Sequence, residues 1–306
     1  HLQTGLVFGA SVAAYDINRV RKHEFTRPVK EDDRVRQITA LKAQTGPVLL
    51  TYRADDAVKA IIDETAAGTP VYDLTADDGI GHTLWVLDDD AKIEQLNQIF
   101  DATDALYIAD GHHRSASASR VAKENSAESA QYFLSVAFAH DEMKILDYNR
   151  VVRDLHGLSA DELLANAAAS FDLELSAEAV RPAKPTQFGM YVNGQWYRLD
   201  VHEELVPSDD PVASLDVSLL HSNLIEPLLG ISDPRRDDRI DFVGGMRGLG
   251  ELEKRVDSGE MAVAFSLYPT TMEALMDVAD ANEVMPPKST WFEPKLADGL
   301  VSHVLD

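Results

Sequence analysis

The sequence predicts an α/β fold, more loosely α+β, in two subdomains spanning residues 1–152 and 153–306. Three observations predict it. Strand and helix signals alternate through the first half. The second half restarts with a helix and places Asn193-Gly194, the strongest short hairpin signal, between two apolar runs. The 306 residues amount to two domain lengths of ~150 each, and the stretch Pro182–Pro185 is a loop rather than a long linker. The two halves are therefore expected to pack together.

The elements follow in order. Thr4–Tyr15 is apolar and reads as a strand. Glu31–Ala43 carries Val35, Ile38 and Leu41 at helical spacing and is stopped by Gly46-Pro47. Val48–Tyr52 is a short buried strand, and Asp55–Ala67 a helix closed by Gly68. Pro70–Leu74 and His82–Leu87 read as strands around Asp78-Gly79. Ala91–Phe100 is a helix, Ala105–Ala109 a strand and Arg114–Glu124 a helix. Tyr132–Ala139 and Met143–Val152 read as a hairpin closing the first half. In the second half, helix Ala160–Ser170 precedes strands Phe188–Val192 and Gln195–Val201. A long helix, Val212–Leu229, then leads to strand Arg239–Val243, helix Gly250–Val256, strand Ala262–Tyr268 and helix Thr271–Asn282.

Composition narrows the function. The 45% hydrophobic content supports a full core, while 28 Lys+Arg against 52 Asp+Glu leave a net charge of −24. Such a surface repels phosphate backbones and anionic membranes, which excludes nonspecific nucleic-acid binding. The chain has no cysteine, so disulfides, thiolate nucleophiles and sulfur-based zinc sites are excluded. The longest apolar runs, Tyr132–Ala139 and Met261–Tyr268, are strand-sized and far from the ~18–20 residues that cross a bilayer. A cytoplasmic protein with a small-molecule partner is the expectation.

Three stretches carry candidate chemistry. Tyr107-Ile108-Ala109-Asp110-Gly111-His112-His113-Arg114-Ser115 ends a buried strand and opens a helix within three residues. Gly111 permits a tight turn, free amides at the helix start make an anion site, and Arg114 supplies a fork for phosphate oxygens. Asp110 is placed to hold a magnesium ion there. Adjacent histidines diverge, which argues against zinc. The second stretch, His23 to Arg34, combines a helix entry at Pro28 with Glu24, Glu31 and the i,i+4 pair Lys30 and Arg34, more ionisable groups than a cap requires. The third, Met285 to Lys295, presents Lys288, Ser289, Thr290, Trp291, Phe292 and Lys295 beside Pro286-Pro287. Lys288-Ser289-Thr290 has the ending of a P-loop without the preceding glycines, so it is not a Walker A motif. Gly244–Gly250 has the wrong glycine order for a dinucleotide loop and reads as a strand-to-helix turn.

In Arg21–Arg34 (RKHEFTRPVKEDDR), Tyr107–Ala118 (YIADGHHRSASA) and Met285–Leu300 (MPPKSTWFEPKLADGL) the chain resembles the uncharacterised conserved DUF-1015 family. Tyr148-Asn149-Arg150 and Leu215-Asp216-Val217 agree more weakly. The Asp-Gly-His-His-Arg stretch is similar to the phosphate-binding loop of the ParB/sulfiredoxin-like superfamily, which includes CTP-binding ParB proteins, ATP-using sulfiredoxins and kinases of free serine. The resemblance implies a ParB/sulfiredoxin-like first subdomain and nucleotide phosphates held by Gly111, His112, His113 and Arg114. The catalytic cysteine of sulfiredoxin has no counterpart, and the acidic surface opposes DNA binding.

The implied activity is phosphoryl transfer from ATP or ADP, with Mg2+, to a small hydroxyl metabolite, free serine being the named candidate. His113 and Arg114 would hold the phosphate, with Lys30 and Arg34 as further phosphate ligands. Glu24 or Glu31 would take the hydroxyl proton, and Glu24 is favoured because the helix dipole lowers the basicity of Glu31. Lys288, Ser289, Thr290 or Lys295 would close the site as the tail returns to it. The alternatives are a non-catalytic nucleotide sensor and a small-metabolite hydrolase.

Overall fold

Val48-Leu49-Leu50-Thr51-Tyr52 forms a strand with every side chain buried, as a strand covered on both faces must be. In the computed structural model, which describes residues 1–306, it is the middle strand of a five-stranded mixed sheet. The order is Leu6–Ser11, Tyr132–Ala139, Val48–Tyr52, Leu106–Asp110 and Val20–Arg21. Tyr132–Ala139 and Val48–Tyr52 run parallel, while Leu106–Asp110 runs antiparallel to Val48–Tyr52. Leu50, Ile108, Phe133 and Ala137 centre the core, against Val58 and Ile61 of the helix Asp56–Ala66.

The chain divides into two units, residues 1–143 with 294–306, and residues 144–293. The division thus falls at Met143, not at 152. The reason is strand pairing. Tyr132–Ala139 and Tyr148–Val152 do not form a hairpin: the first pairs with Leu6–Ser11 and Val48–Tyr52, the second with Ile240–Gly244 and Val263–Leu267. The last residues join the first unit, where His303–Val304 pairs with Ala43–Gln44 and Leu305 packs on Ile38 and Val121.

The second unit is built on a six-stranded antiparallel sheet in the order Phe171–Ser176, Gln195–Val201, Gln187–Val192, Val263–Leu267, Tyr148–Val152 and Ile240–Gly244. Asn193 and Gly194 both take positive φ, 51° and 76°, the backbone of a two-residue hairpin turn. Gly244, the last residue of Ile240–Gly244, serves packing: a Cβ there would stand 2.8 Å from the Trp291 ring.

Three elements differ from expectation. The first strand stops at Ser11, whose hydroxyl caps a short helix, Val12–Asp16, by accepting from the Ala14 amide. The helix expected over Val212–Leu229 starts only at Asp216 and is interrupted by a π turn at His221–Ile225. Pro227 has no N–H to donate one turn back, which removes the α-helical bond at that point. Phe171–Ser176, unread in the sequence, is a full strand.

Candidate functional site

The strand Leu106–Asp110 ends in Gly111, which takes φ 103° and caps the helix His112–Glu124. A side chain there would meet Arg114: an added Cβ would lie 2.9 Å from its Nε. Glycine therefore lets Arg114 fold back over the start of its own helix. The guanidinium donates to Asp110 Oδ2 at 3.0 Å and stands 3.7 Å from Asp298 Oδ1. Two carboxylates thus bracket Arg114, and the tail reaches this loop through an acid, Asp298.

A second helix start meets the first. The helix Pro28–Leu41 has proline in its first turn and Arg27 as N-cap, with no side-chain cap bond. The Arg27 backbone N–H donates to His113 Nε2 at 3.0 Å. Since that nitrogen accepts, the His113 imidazole is neutral with its proton on Nδ1. Its pKa is held below the usual histidine value by burial first, then by the charges of Lys30, Arg27 and Arg34, against a raising effect of Glu31. Those three cations are therefore close enough to act on the ring. The Ser117 hydroxyl lies 2.7 Å from the His113 carbonyl and 3.2 Å from the Glu31 carbonyl, tying the two helices.

The two candidate bases have different surroundings. Glu31 accepts from the Thr26 hydroxyl and pairs with Arg120 at 3.3 Å, with Arg120 also 2.8 Å from Asp32. It is part of the helix entry. Glu24 is exposed, with Oε2 3.8 Å from His112 Nδ1. His112 itself does not reach outward as expected of a phosphate ligand. It is 4% exposed and stacks edge-on against His23, which is 2% exposed, with ring centroids 4.6 Å apart. The backbone N–H of His23 points to His112 Nε2 at 3.4 Å, which leaves the His112 proton on the nitrogen facing Glu24. Burial pushes the His23 pKa down to about 4 and that of His112 well below its ordinary value. Both rings are neutral, and His112 connects the buried His23 to Glu24.

Lys295 lines a cavity of about 1350 Å³ in the first unit, with Phe8, Trp85 and Phe100; no residue from Asp110 to Arg114 lines it. Lys288, Ser289 and Thr290 belong to the second unit, where the Ser289 hydroxyl donates to the Pro286 carbonyl at 2.7 Å. No group of three or more His, Asp or Glu residues is arranged to hold a metal ion. Asp110 offers one carboxylate, with Oδ2 taken by Arg114 and no second acid completing a cage.

Arg27, Arg120 and Asp298 were not singled out in the sequence. A signal for the first was present: residues 19–42 hold eight Lys+Arg against four Asp+Glu, in a chain of net charge −24. In sequence, this concentration of positive charge runs from Val20–Arg21 to Lys42, the C-cap of the Pro28–Leu41 helix.

The family model described as a protein of unknown function, DUF1015, matches residues 1–218. The chain belongs to the DUF1015 family. No curated protein matches this DUF1015 chain. Among solved structures, it is similar to a free serine kinase mutant in complex with AMP, with a TM-score of 0.44 at 12% identity over 95% of this chain and 88% of that one. A conserved hypothetical protein from Pyrococcus furiosus gives a TM-score of 0.43 at 14% identity over 96% and 93%. SbnI with a C-terminal truncation, from Staphylococcus aureus, gives 0.48 at 12% over 95% and 85%. The DUF1015 match covers the two helix starts described above and the strand Leu106–Asp110.

Proposed function

We propose that the first unit binds nucleotide phosphates at the start of the His112–Glu124 helix and transfers a phosphoryl group to a small hydroxyl metabolite, free serine first among the candidates. One observation carries the reading: the Arg27 N–H to His113 contact joins two helix N-termini, neither capped by a side chain, among Arg27, Lys30, Arg34 and Arg114. Helix starts and guanidinium groups together favour a phosphate, and four such cations are costly to gather for packing alone.

Phosphoryl transfer asks for positioning and compensation of charge rather than covalent chemistry by the protein. The amides of His112 and His113 precede the first intrahelical bonds, which begin with the Arg114 and Ser115 amides donating to the Gly111 carbonyl. They would cradle the phosphate while Arg114, released from Asp298, Lys30 and Arg34 face its oxygens. Asp110 would add the one protein carboxylate to a magnesium ion that arrives on the nucleotide phosphates and supplies charge neutralisation. The substrate hydroxyl oxygen forms the new bond to phosphorus as the bridging oxygen of the nucleotide leaves. Glu24 accepts the hydroxyl proton, oriented by His112. Glu31 is the weaker candidate because Thr26 and Arg120 occupy its oxygens. The resemblance to kinases of free serine supports serine as acceptor.

The test is turnover. ATP and ADP are incubated with the protein, magnesium and a panel of hydroxyl compounds and amino acids, and phosphorylated products are followed by phosphorus NMR. The proposal expects nucleotide consumption that depends on the hydroxyl compound. Tight binding with no consumption across the panel would replace the transferase with a nucleotide sensor. No binding of either nucleotide would remove both.

A further inference from the structure

Arg150 sits in the middle of the strand Tyr148–Val152, opposite Phe242 on one neighbour and Phe265 on the other. It is 4% exposed. Buried guanidinium groups are almost always paired with carboxylates, because a lone charge out of water is expensive. Arg150 has no such partner. Its Nη1 donates to the Tyr148 carbonyl and its Nη2 to the Lys288 carbonyl at 3.0 Å, while the guanidinium carbon lies 5.4 Å from the centre of the Phe242 ring. Two of its five N–H groups are thereby used. Burial lowers its pKa to about 10, which leaves it charged at neutral pH.

A second cation stands beside it. Lys288 is exposed, and its ammonium lies 5.6 Å from the centre of the Tyr148 ring. Its backbone takes φ 60°, a left-handed conformation that a lysine adopts only when its surroundings impose it. The turn is held: the Ser289 hydroxyl donates to the Pro286 carbonyl, and the Thr270 hydroxyl donates to the Ser289 carbonyl at 2.8 Å. The acids nearby are committed to other groups. Asp147 accepts from Asn149 at 2.6 Å and pairs with Arg181 at 3.4 Å, while Glu293 accepts from the Trp291 indole at 2.8 Å. The protein fixes two adjacent cations around one tyrosine and gives neither a carboxylate.

We propose that Arg150 and Lys288 form a binding site in the second unit for a small oxyanion, a carboxylate or a phosphate group, entered from the side of Lys288. The anion supplies the countercharge that the protein withholds, on the N–H groups of Arg150 left over from the two carbonyls. The site does not depend on the nucleotide reading of the first unit. It gives Lys288 a role shared with Arg150, a charged residue inside a strand whose five side chains are all buried.

Inorganic phosphate and acetate are titrated separately into the full chain by calorimetry, using the parent protein, Arg114→Ala, Lys288→Asn and Arg150→Met. Asparagine tolerates the left-handed backbone, so Lys288→Asn removes the charge and keeps the turn. Saturable binding of either anion is expected in the parent and in Arg114→Ala, weakened at least tenfold in Lys288→Asn and lost in Arg150→Met. Binding of phosphate alone or acetate alone identifies the source. If Arg150→Met does not fold, Lys288→Asn decides. The proposal is overturned if neither anion binds, if Lys288→Asn binds as the parent does, or if Arg114→Ala abolishes binding, which would assign the anion to the first unit.

Discussion

The backbone N–H of Arg27 donates to His113 Nε2 at 3.0 Å, so the entry of one helix is tied to the first turn of another through a histidine that must stay neutral. Protonation would put a second donor where an acceptor is needed. His113→Ala deletes the acceptor and is expected to cost about 1 kcal/mol, the usual net worth of such a bond. Urea unfolding measures this, and the same variant should weaken nucleotide binding because the two helix starts lose their shared contact. Parent-like affinity in a folded His113→Ala protein would place the nucleotide elsewhere.

Glu24→Gln keeps the size of the side chain and removes its basicity. A general base typically contributes 10²–10⁴-fold to rate. Turnover should fall by at least 100-fold, on the order of that range's lower bound, with nucleotide affinity nearly unchanged. Glu31→Gln should act on stability, since Glu31 accepts from Thr26 and pairs with Arg120. Full turnover in Glu24→Gln with loss in Glu31→Gln would exchange the two roles.

His23 sets a pH dependence. Its pKa is 6.5 in the unfolded chain and about 4 when buried, so between those values the unfolded state holds a proton that the folded state refuses. Stability therefore rises with pH across that window, by about 1.4 kcal/mol per unit and about 3 kcal/mol in all. His112 acts in the same direction. An NMR titration should find the His23 ring still neutral at pH 5; a midpoint near 6.5 would mean the ring is not buried as described.

Asp216 opposes this in the second unit. Burial raises its pKa from 3.8 to about 7, and its Oδ1 accepts from the Thr186 N–H at 2.8 Å while Oδ2 has no partner. The folded state keeps a proton that the unfolded state has lost, so this contribution to stability declines as pH rises from 3.8 to 7. Asp216→Asn keeps the acceptor for Thr186 and cannot ionise. Its stability measured at pH 5 and pH 8 should lack the decline attributable to Asp216; an unchanged pH profile would contradict the burial of an ionisable group there.

What the sequence showed and what it hid have physical causes. Val48–Tyr52, the turn at Asn193-Gly194 and the strand-to-helix junction at Gly111 are written in local pattern, and each stands where it was expected. Strand partners are not local: nothing near Tyr132–Ala139 says that Leu6–Ser11 pairs with it, and a following apolar run imitates a hairpin arm. The direction of a side chain at a helix start is equally hidden, so His112 and His113 look alike in sequence although one is buried on His23 and the other meets Arg27. Arg27 acts through its backbone, which residue type does not reveal. Asp298 reaches Arg114 only because the last residues return to the first unit.

The central claim is that nucleotide phosphate binds where Arg114 folds over Gly111. Calorimetric titration of ATP into the parent protein and Arg114→Ala, with magnesium, tests it most directly. The account predicts saturable binding in the parent and a loss of at least tenfold in the variant, about 1.4 kcal/mol. Equal affinity in the two proteins would contradict it.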